Sequence, residues 1–382
     1  MSFAKGKGGD LTEYLPLIAD QKFYAIEYPD GRPHTVYPIG ASLLALPAVA
    51  LIAAISPDFA QDLAKGFHNK TEKFIASMIG ALAGVIFFWI MVLQFQSLVS
   101  ALVATFIFSF STSMWSTATR ALWQHGPDVL MLTIAMLILI KACQREALIQ
   151  FAALPLAMAY VMRPTAVVPI AVLSIYVLLY HRTWFLKYLG WAILVTLPWF
   201  IYNISIYHWL LPPYYTSNAF SQGTDFFAGL SGNLFSPSRG LFVFSPVLLF
   251  SVSGFVLALR NGQQRALHVA FGAVVALHTL IVASASMWWA GHSFGPRFMT
   301  DVVPFLVYFI PFNFSALPTL KPTARSIAVL LFVGLTLVST AIHASGALRF
   351  ETTTWNVVPD NIDGHSDRTW DWSDPQFLRG LH

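Results

Sequence analysis

The sequence predicts an all-α fold: a polytopic transmembrane helical bundle of about ten spans, with an interfacial helix region at its outer face. Three observations predict it. Only 10% of residues are charged and 56% are hydrophobic, whereas a soluble domain carries about 25% charged residues. No charged residue occurs from Phe74 to Thr119. Apolar runs of span length then alternate with short charged gaps to the end of the chain. The mean hydropathy of +0.63 agrees. With water excluded, backbone polar groups must be satisfied within each run, which in lipid means helix.

The elements follow in order. Pro38–Ile55 is apolar but begins at Tyr37-Pro38 and contains Pro47, so it is expected to lie in the outer interface, interrupted at that proline. Phe74–Thr119 holds two spans with a turn near Gln94–Ser97. Pro127–Ile140 is closed by Lys141. Ala147–Met162 and Thr165–Tyr180 form a pair broken at Arg163-Pro164. Tyr188–Asn203 leads into a polar, aromatic loop from Ile204 to Arg239. Four further spans are Gly240–Leu259, Ala266–Ala290, Val302–Leu320 and Ser326–Leu348. Prolines 155, 198, 246, 304 and 311 predict kinks. Three regions result: an extracytoplasmic N-terminal loop with its interfacial helix (1–73), the bundle (74–348) and an extracytoplasmic tail (349–382).

Orientation follows from Lys and Arg in short loops. Alternate gaps hold Lys141 and Arg145, Arg182 and Lys187, Arg260 and Arg265, and Lys321 and Arg325. The intervening gaps hold only Arg120, Arg163, Arg239 and Arg297. Eight cations against four place the first set in the cytoplasm. Lys65, Lys70 and Lys73 oppose this but are outnumbered. A multi-pass protein of a bacterial inner membrane is expected.

The outer cations are all arginines, and arginine grips phosphate oxygens with a planar fork. Arg163 stands out. The helix before it offers roughly 16 apolar residues, or about 24 Å, short of the ~30 Å hydrocarbon core. Arg163 is therefore expected to sit slightly below the outer surface, where a charge is costly and marks function. The plainer alternative is snorkelling to the headgroups. Gln124, His125 and Asp128 open the next helix; His125 is a candidate for holding a phosphate or sugar hydroxyl, and Asp128 suits the helix dipole. Arg239 and Arg297 precede spans in Gly- and Pro-rich turns that suit rigid anion sites, or simple interfacial arginines. Asp301, one turn after Arg297, is its expected ion-pair partner. The acids Asp10, Glu13, Asp20, Glu27 and Asp30 are candidates for a general base, each more often a solvated residue. Tyr207, Trp209, Tyr214, Tyr215 and Phe220, with Trp355, Trp370 and Trp372 in the tail, suit carbohydrate stacking or an aromatic belt.

Several classes are excluded. Basic residues are dispersed, so nucleic acid is not an expected partner. One cysteine, Cys143, rules out an intrachain disulfide and a Cys-based zinc site. The histidines are scattered, so no metal is expected. No Walker A, GxGxxG, HExxH or GxSxG motif occurs, and no cofactor is expected. The opening residues MSFAKGKGGDLTEYL lack the apolar region of a signal peptide.

Six stretches, in order, resemble the polytopic glycosyltransferases that use polyprenyl-phosphate sugars, the protein O-mannosyltransferase and aminoarabinose transferase superfamily. They are Tyr37 to Pro47, Trp115 to Pro127, Met162-Arg163-Pro164-Thr165, Phe235 to Pro246, Ser293 to Phe305, and Trp370 to Leu381. The resemblance implies outer-loop helices lying along the membrane. It implies a catalytic carboxylate at Asp10, with Glu13 a rival, and a lipid phosphate held at Arg163. It also implies a first helix ahead of Asp10, where this sequence has no apolar run; an upstream start, a fragment or a degenerate copy would each account for that. The expected function is transfer of a sugar from a polyprenyl-phosphate donor to a glycan, lipid or protein acceptor at the outer membrane face. Asp10 or Glu13 would be catalytic, and Arg163, His125, Arg297, Arg239 and Gln124 would bind substrate. A lipid or glycan transporter, or a non-catalytic membrane subunit, are the alternatives.

Overall fold

Helix dominates the computed structural model, which describes residues 2–17, 25–56, 58, 69–216, 225–260 and 264–379. Asp20, Lys65 and Phe220 lie outside the described residues. Six helices or helical segments are long and apolar enough to cross a bilayer: Lys70–Phe95, His125–Ala142, Arg182–Tyr207, Arg265–Ala283, Arg297–Thr319 and Pro322–Leu348. Six shorter apolar helices accompany them: Gly40–Ile55, Leu98–Phe110, Glu146–Met162, Pro164–Tyr180, Phe226–Phe235 and Pro246–Ala258. The protein is thus an all-α membrane protein. A short antiparallel pair, β1 (Ile26–Glu27) with β2 (His34–Thr35), stands before the first apolar helix.

The helices that position the site are α1 (Gly40–Ile55), α2 (Asn69–Phe95), α3 (Leu98–Phe110), α4 (His125–Ala142), α5 (Ala153–Met162), α6 (Val167–Tyr180), α7 (Arg182–Tyr207), α8 (Phe226–Phe235), α9 (Leu249–Ala258), α10 (Arg265–Ala283), α11 (Val303–Phe309) and α12 (Pro322–Leu348). Helix α4 is the centre: 78% of its apolar window is buried, against 11% for α7 and α12, which present their faces to lipid. It packs between α2 and α5. Phe87 of α2 stacks on Phe108 of α3, with ring centroids 4.5 Å apart. A second aromatic layer joins Phe271, Phe305, Tyr308 and Phe309. Burial of aromatic rings dominates core energetics.

Several sequence expectations are refined. Pro47 does not interrupt α1, which runs unbroken from Gly40 to Ile55; the proline forfeits one backbone bond without ending the helix. Only Gly40, Ala41 and Ala45 of α1 are buried. Gly40 lies so close to Val161 and Met162 of α5 that a Cβ would sit 2.7 Å from the Val161 carbonyl. Of the five prolines expected to kink helices, Pro246 and Pro311 do mark breaks within their runs, after Phe244 and Phe309, whereas α7 continues through Pro198. Pro246 and Pro304 sit at helix starts, where the missing N–H costs nothing. The loop expected from Ile204 to Arg239 contains α8, because the Asp225 carboxylate caps the amides of Phe227 and Ala228.

The two sets of charged gaps lie at opposite ends. At one end Gln94 bonds Gln264 at 2.7 Å, and His181 meets Glu146 at 3.0 Å, beside Arg145 and Arg182. At the other, here the arginine end, Arg120 donates to the Gly346 carbonyl at 2.6 Å and Arg239 bonds the tail.

Candidate functional site

Arg163 is extended (φ −155°, ψ 134°) between α5 and the turn Pro164–Ala166. Proline forces this: its ring disfavours helical geometry at the preceding residue. The helix stops, and the arginine leaves its axis to enter the bundle, where it is only 4% exposed. Its Nε lies 2.7 Å from Asp301 Oδ2 and donates to Thr165 Oγ1 at 2.6 Å. Its Nη1 meets His125 Nε2 at 3.1 Å. His125 Nδ1 lies 2.8 Å from Asp301 Oδ1. Thr165 Oγ1 donates to Asp301 Oδ2 at 3.2 Å, and His278 Nε2 stands 3.9 Å from the same oxygen.

These contacts select one protonation pattern for His125. Arginine only donates, so Nε2 accepts; the ring proton is then on Nδ1 and is donated to Asp301. The carboxylate of Asp301 holds arginine, histidine and threonine in one closed ring of bonds. Among the described residues, no partner takes the Nη2 protons of Arg163. That edge of the guanidinium is available to an anion.

Aromatic rings frame the cluster. The Arg163 guanidinium lies 5.7 Å from the Phe298 ring, and that of Arg297 lies 5.0 Å from Trp123 and 5.7 Å from Phe298. Asp301, expected beside Arg297, meets Arg163 and His125. It sits in the 3₁₀ turn Arg297–Val302, which opens the run into α11.

Gln124 precedes His125, and its Oε1 is buried without a partner. Asp128, one turn on, is 0% exposed, and among the described residues neither carboxylate oxygen is hydrogen-bonded. The sequence marked Asp128 only as a dipole-favouring residue. Its position one turn after His125, on the same helix face, was the signal for more.

Arg239 lies elsewhere and is differently employed. Nε donates to Trp289 O at 2.6 Å. Nη1 donates to Ser238 O at 2.8 Å and Gln376 Oε1 at 2.7 Å. Nη2 donates to Gly291 O at 3.1 Å and Asn356 Oδ1 at 2.8 Å. All five N–H groups are committed inside the chain, which makes Arg239 a clasp for the tail. Trp355, 0% exposed, lies 5.4 Å from its guanidinium.

Asp10 and Glu13 stand in the N-terminal segment, joined by no hydrogen bond or ion pair to the Arg163 cluster among the described residues. Asp10 Oδ1 accepts from Thr12 N at 2.8 Å and Thr12 Oγ1 at 2.6 Å. These bonds hold its carboxyl below the usual range. Both Glu13 oxygens meet lysines, Oε1 with Lys5 and Oε2 with Lys7 at 3.1 Å, and this too lowers its pKa. Asp10 keeps Oδ2 without a bond among the described residues, so it is the less encumbered acid. No group of three or more His, Cys, Asp or Glu fit to hold a metal occurs among the described residues.

Fold and cluster define a polytopic membrane protein with a buried Arg–Asp–His network at one end of its bundle. No family model matches the chain, and neither a curated protein nor a solved structure matches it.

Proposed function

We propose that this chain is a membrane glycosyltransferase of the polyprenyl-phosphate-sugar class, working at the extracytoplasmic face of a bacterial inner membrane. In this reading ten segments cross the bilayer. Six are the long ones, and four are Leu98–Phe110, Glu146–Met162, Pro164–Tyr180 and Pro246–Ala258. Helices α1 and α8 lie along the outer interface, and the arginine end faces outward. The observation that carries the reading is the open Nη2 edge of Arg163, held buried by Asp301, His125 and Thr165. A buried guanidinium with unused donors suits a phosphate at membrane depth.

The chemistry is one displacement. Asp10 Oδ2 takes the proton of an acceptor hydroxyl. The hydroxyl oxygen attacks the anomeric carbon with inversion, and the bond from that carbon to the phosphate oxygen breaks. The polyprenyl phosphate leaves with the electron pair, and Arg163, with Arg297 beside it, stabilises the charge. The acceptor is a glycan, lipid or protein hydroxyl. Reconstituted protein given labelled polyprenyl-phosphate sugars tests this. Arg163→Ala is expected to lose transfer by at least about 10²-fold, as removal of one transition-state donor does, while still inserting. Wild-type activity in that variant would refute the assignment.

A further inference from the structure

Buried polar groups are almost always hydrogen-bonded, so those that are not point to something they await. Four such groups lie at the start of α4 and on α7. Among the described residues, Asp128 is fully buried with both carboxylate oxygens unpartnered. Trp199, on α7, is 4% exposed, and its indole N–H is also unpartnered. Gln124 Oε1 and Tyr202 OH are buried and unpartnered too. Gln124 and Asp128 lie four residues apart, joined by a backbone bond at 3.0 Å, and so share a helix face. Trp199 and Tyr202, three apart on α7, share another.

Tyr215 links the two faces. Its ring stands 5.5 Å from Trp199 and 5.3 Å from Tyr160. Its hydroxyl donates to the carbonyl of Tyr160 on α5, the helix that packs against both α4 and α7. Further along, Tyr202 OH lies against Gly9, where a Cβ would sit 2.2 Å away. Asp10 is the next residue. The unpartnered groups thus lie on two helices, α4 and α7, that both pack against α5, and Tyr202 reaches the residue before Asp10.

Their chemistry selects the ligand. A cation would suit Asp128 and Gln124 but not an indole N–H. A phosphate would suit the indole but not a carboxylate. A hydroxyl both donates and accepts, and the aromatic faces suit a ring of C–H bonds.

We propose that Asp128, Gln124 and Trp199 form a subsite that reads the hydroxyl groups of a sugar, separate from the phosphate grip of Arg163. This rests on the glycosyltransferase reading and names the residues that distinguish a glycosylated lipid phosphate from a bare one.

The test measures binding to protein in nanodiscs with three probes: a C55 polyprenyl phosphate and its glucosyl and mannosyl esters. Wild type is expected to bind at least one ester about tenfold or more tighter than the bare phosphate. Asp128→Asn is expected to erase that preference, so that its esters and the bare phosphate bind within about threefold of one another. Asp128→Leu is expected to melt no lower than wild type, because Asp128 holds no internal bond to lose; a merely structural carboxylate would show a lower melting temperature. A preference retained in Asp128→Asn, or absent from wild type, overturns the subsite while the phosphate site stands. Failure of wild type to bind any of the three probes overturns the glycosyltransferase reading itself.

Discussion

Substituting Asp301 by asparagine tests the buried network directly. Asp301 Oδ1 receives His125 Nδ1–H at 2.8 Å; Oδ2 receives Thr165 at 3.2 Å and lies 2.7 Å from Arg163 Nε. Both oxygens therefore face donors. Either orientation of an asparagine amide sets its NH₂ against a donor, and the charge opposing Arg163 is gone. Breaking a buried pair from one side costs about 3–5 kcal/mol, because the other charge is left uncompensated. Replacing both members by apolar residues of similar volume is often near neutral. The cycle of Asp301→Asn, Arg163→Leu and the double variant is read by thermal or denaturant unfolding in detergent, followed by tryptophan fluorescence. Asp301→Asn should lose about 3–5 kcal/mol, and the double variant should recover at least about half of it. Additive losses, or a single-variant loss under about 1 kcal/mol, would refute a coupled buried pair.

Two further outcomes are expected. The Asp10 carboxyl is held below its usual value, so it is ionised throughout the neutral range and protonates only as pH falls through that lowered value. Transfer should therefore show no acid limb between roughly pH 5 and 8; an acid limb near pH 6 in the wild type would count against its free carboxylate as base. Arg239→Met strips five internal donors from buried acceptors, and a loss of about 3 kcal/mol or more is expected. Limited proteolysis after Arg349 should accelerate in that variant, and unchanged cleavage would show that the tail does not depend on the clasp.

Much of the site was legible locally. Arg163-Pro164 announces a helix end with an arginine cast off its axis, since the proline effect acts on the adjacent residue. His125 and Gln124 were visible as polar residues opening an apolar helix. Arg239 was misleading because a Gly- and Pro-rich turn before a span looks alike whether its arginine awaits a phosphate or binds the chain's own carbonyls. Only the folded tail, bringing Asn356 and Gln376 over it, decides between them. Asp301 was visible only as a neighbour of Arg297 in sequence, and folding brings Arg163 and His125 to it.

The sequence by itself determined the helical class, the lipid solvent and the alternation of its charged gaps, because these follow from composition and from the need to satisfy backbone groups within each run. Tertiary structure alone decided which polar side chains meet. His125 and Asp301 are 176 positions apart, and no local pattern encodes a bond between them. Helix packing brings them together, and in a low-dielectric interior it leaves some groups paired and others, such as Asp128, without a partner.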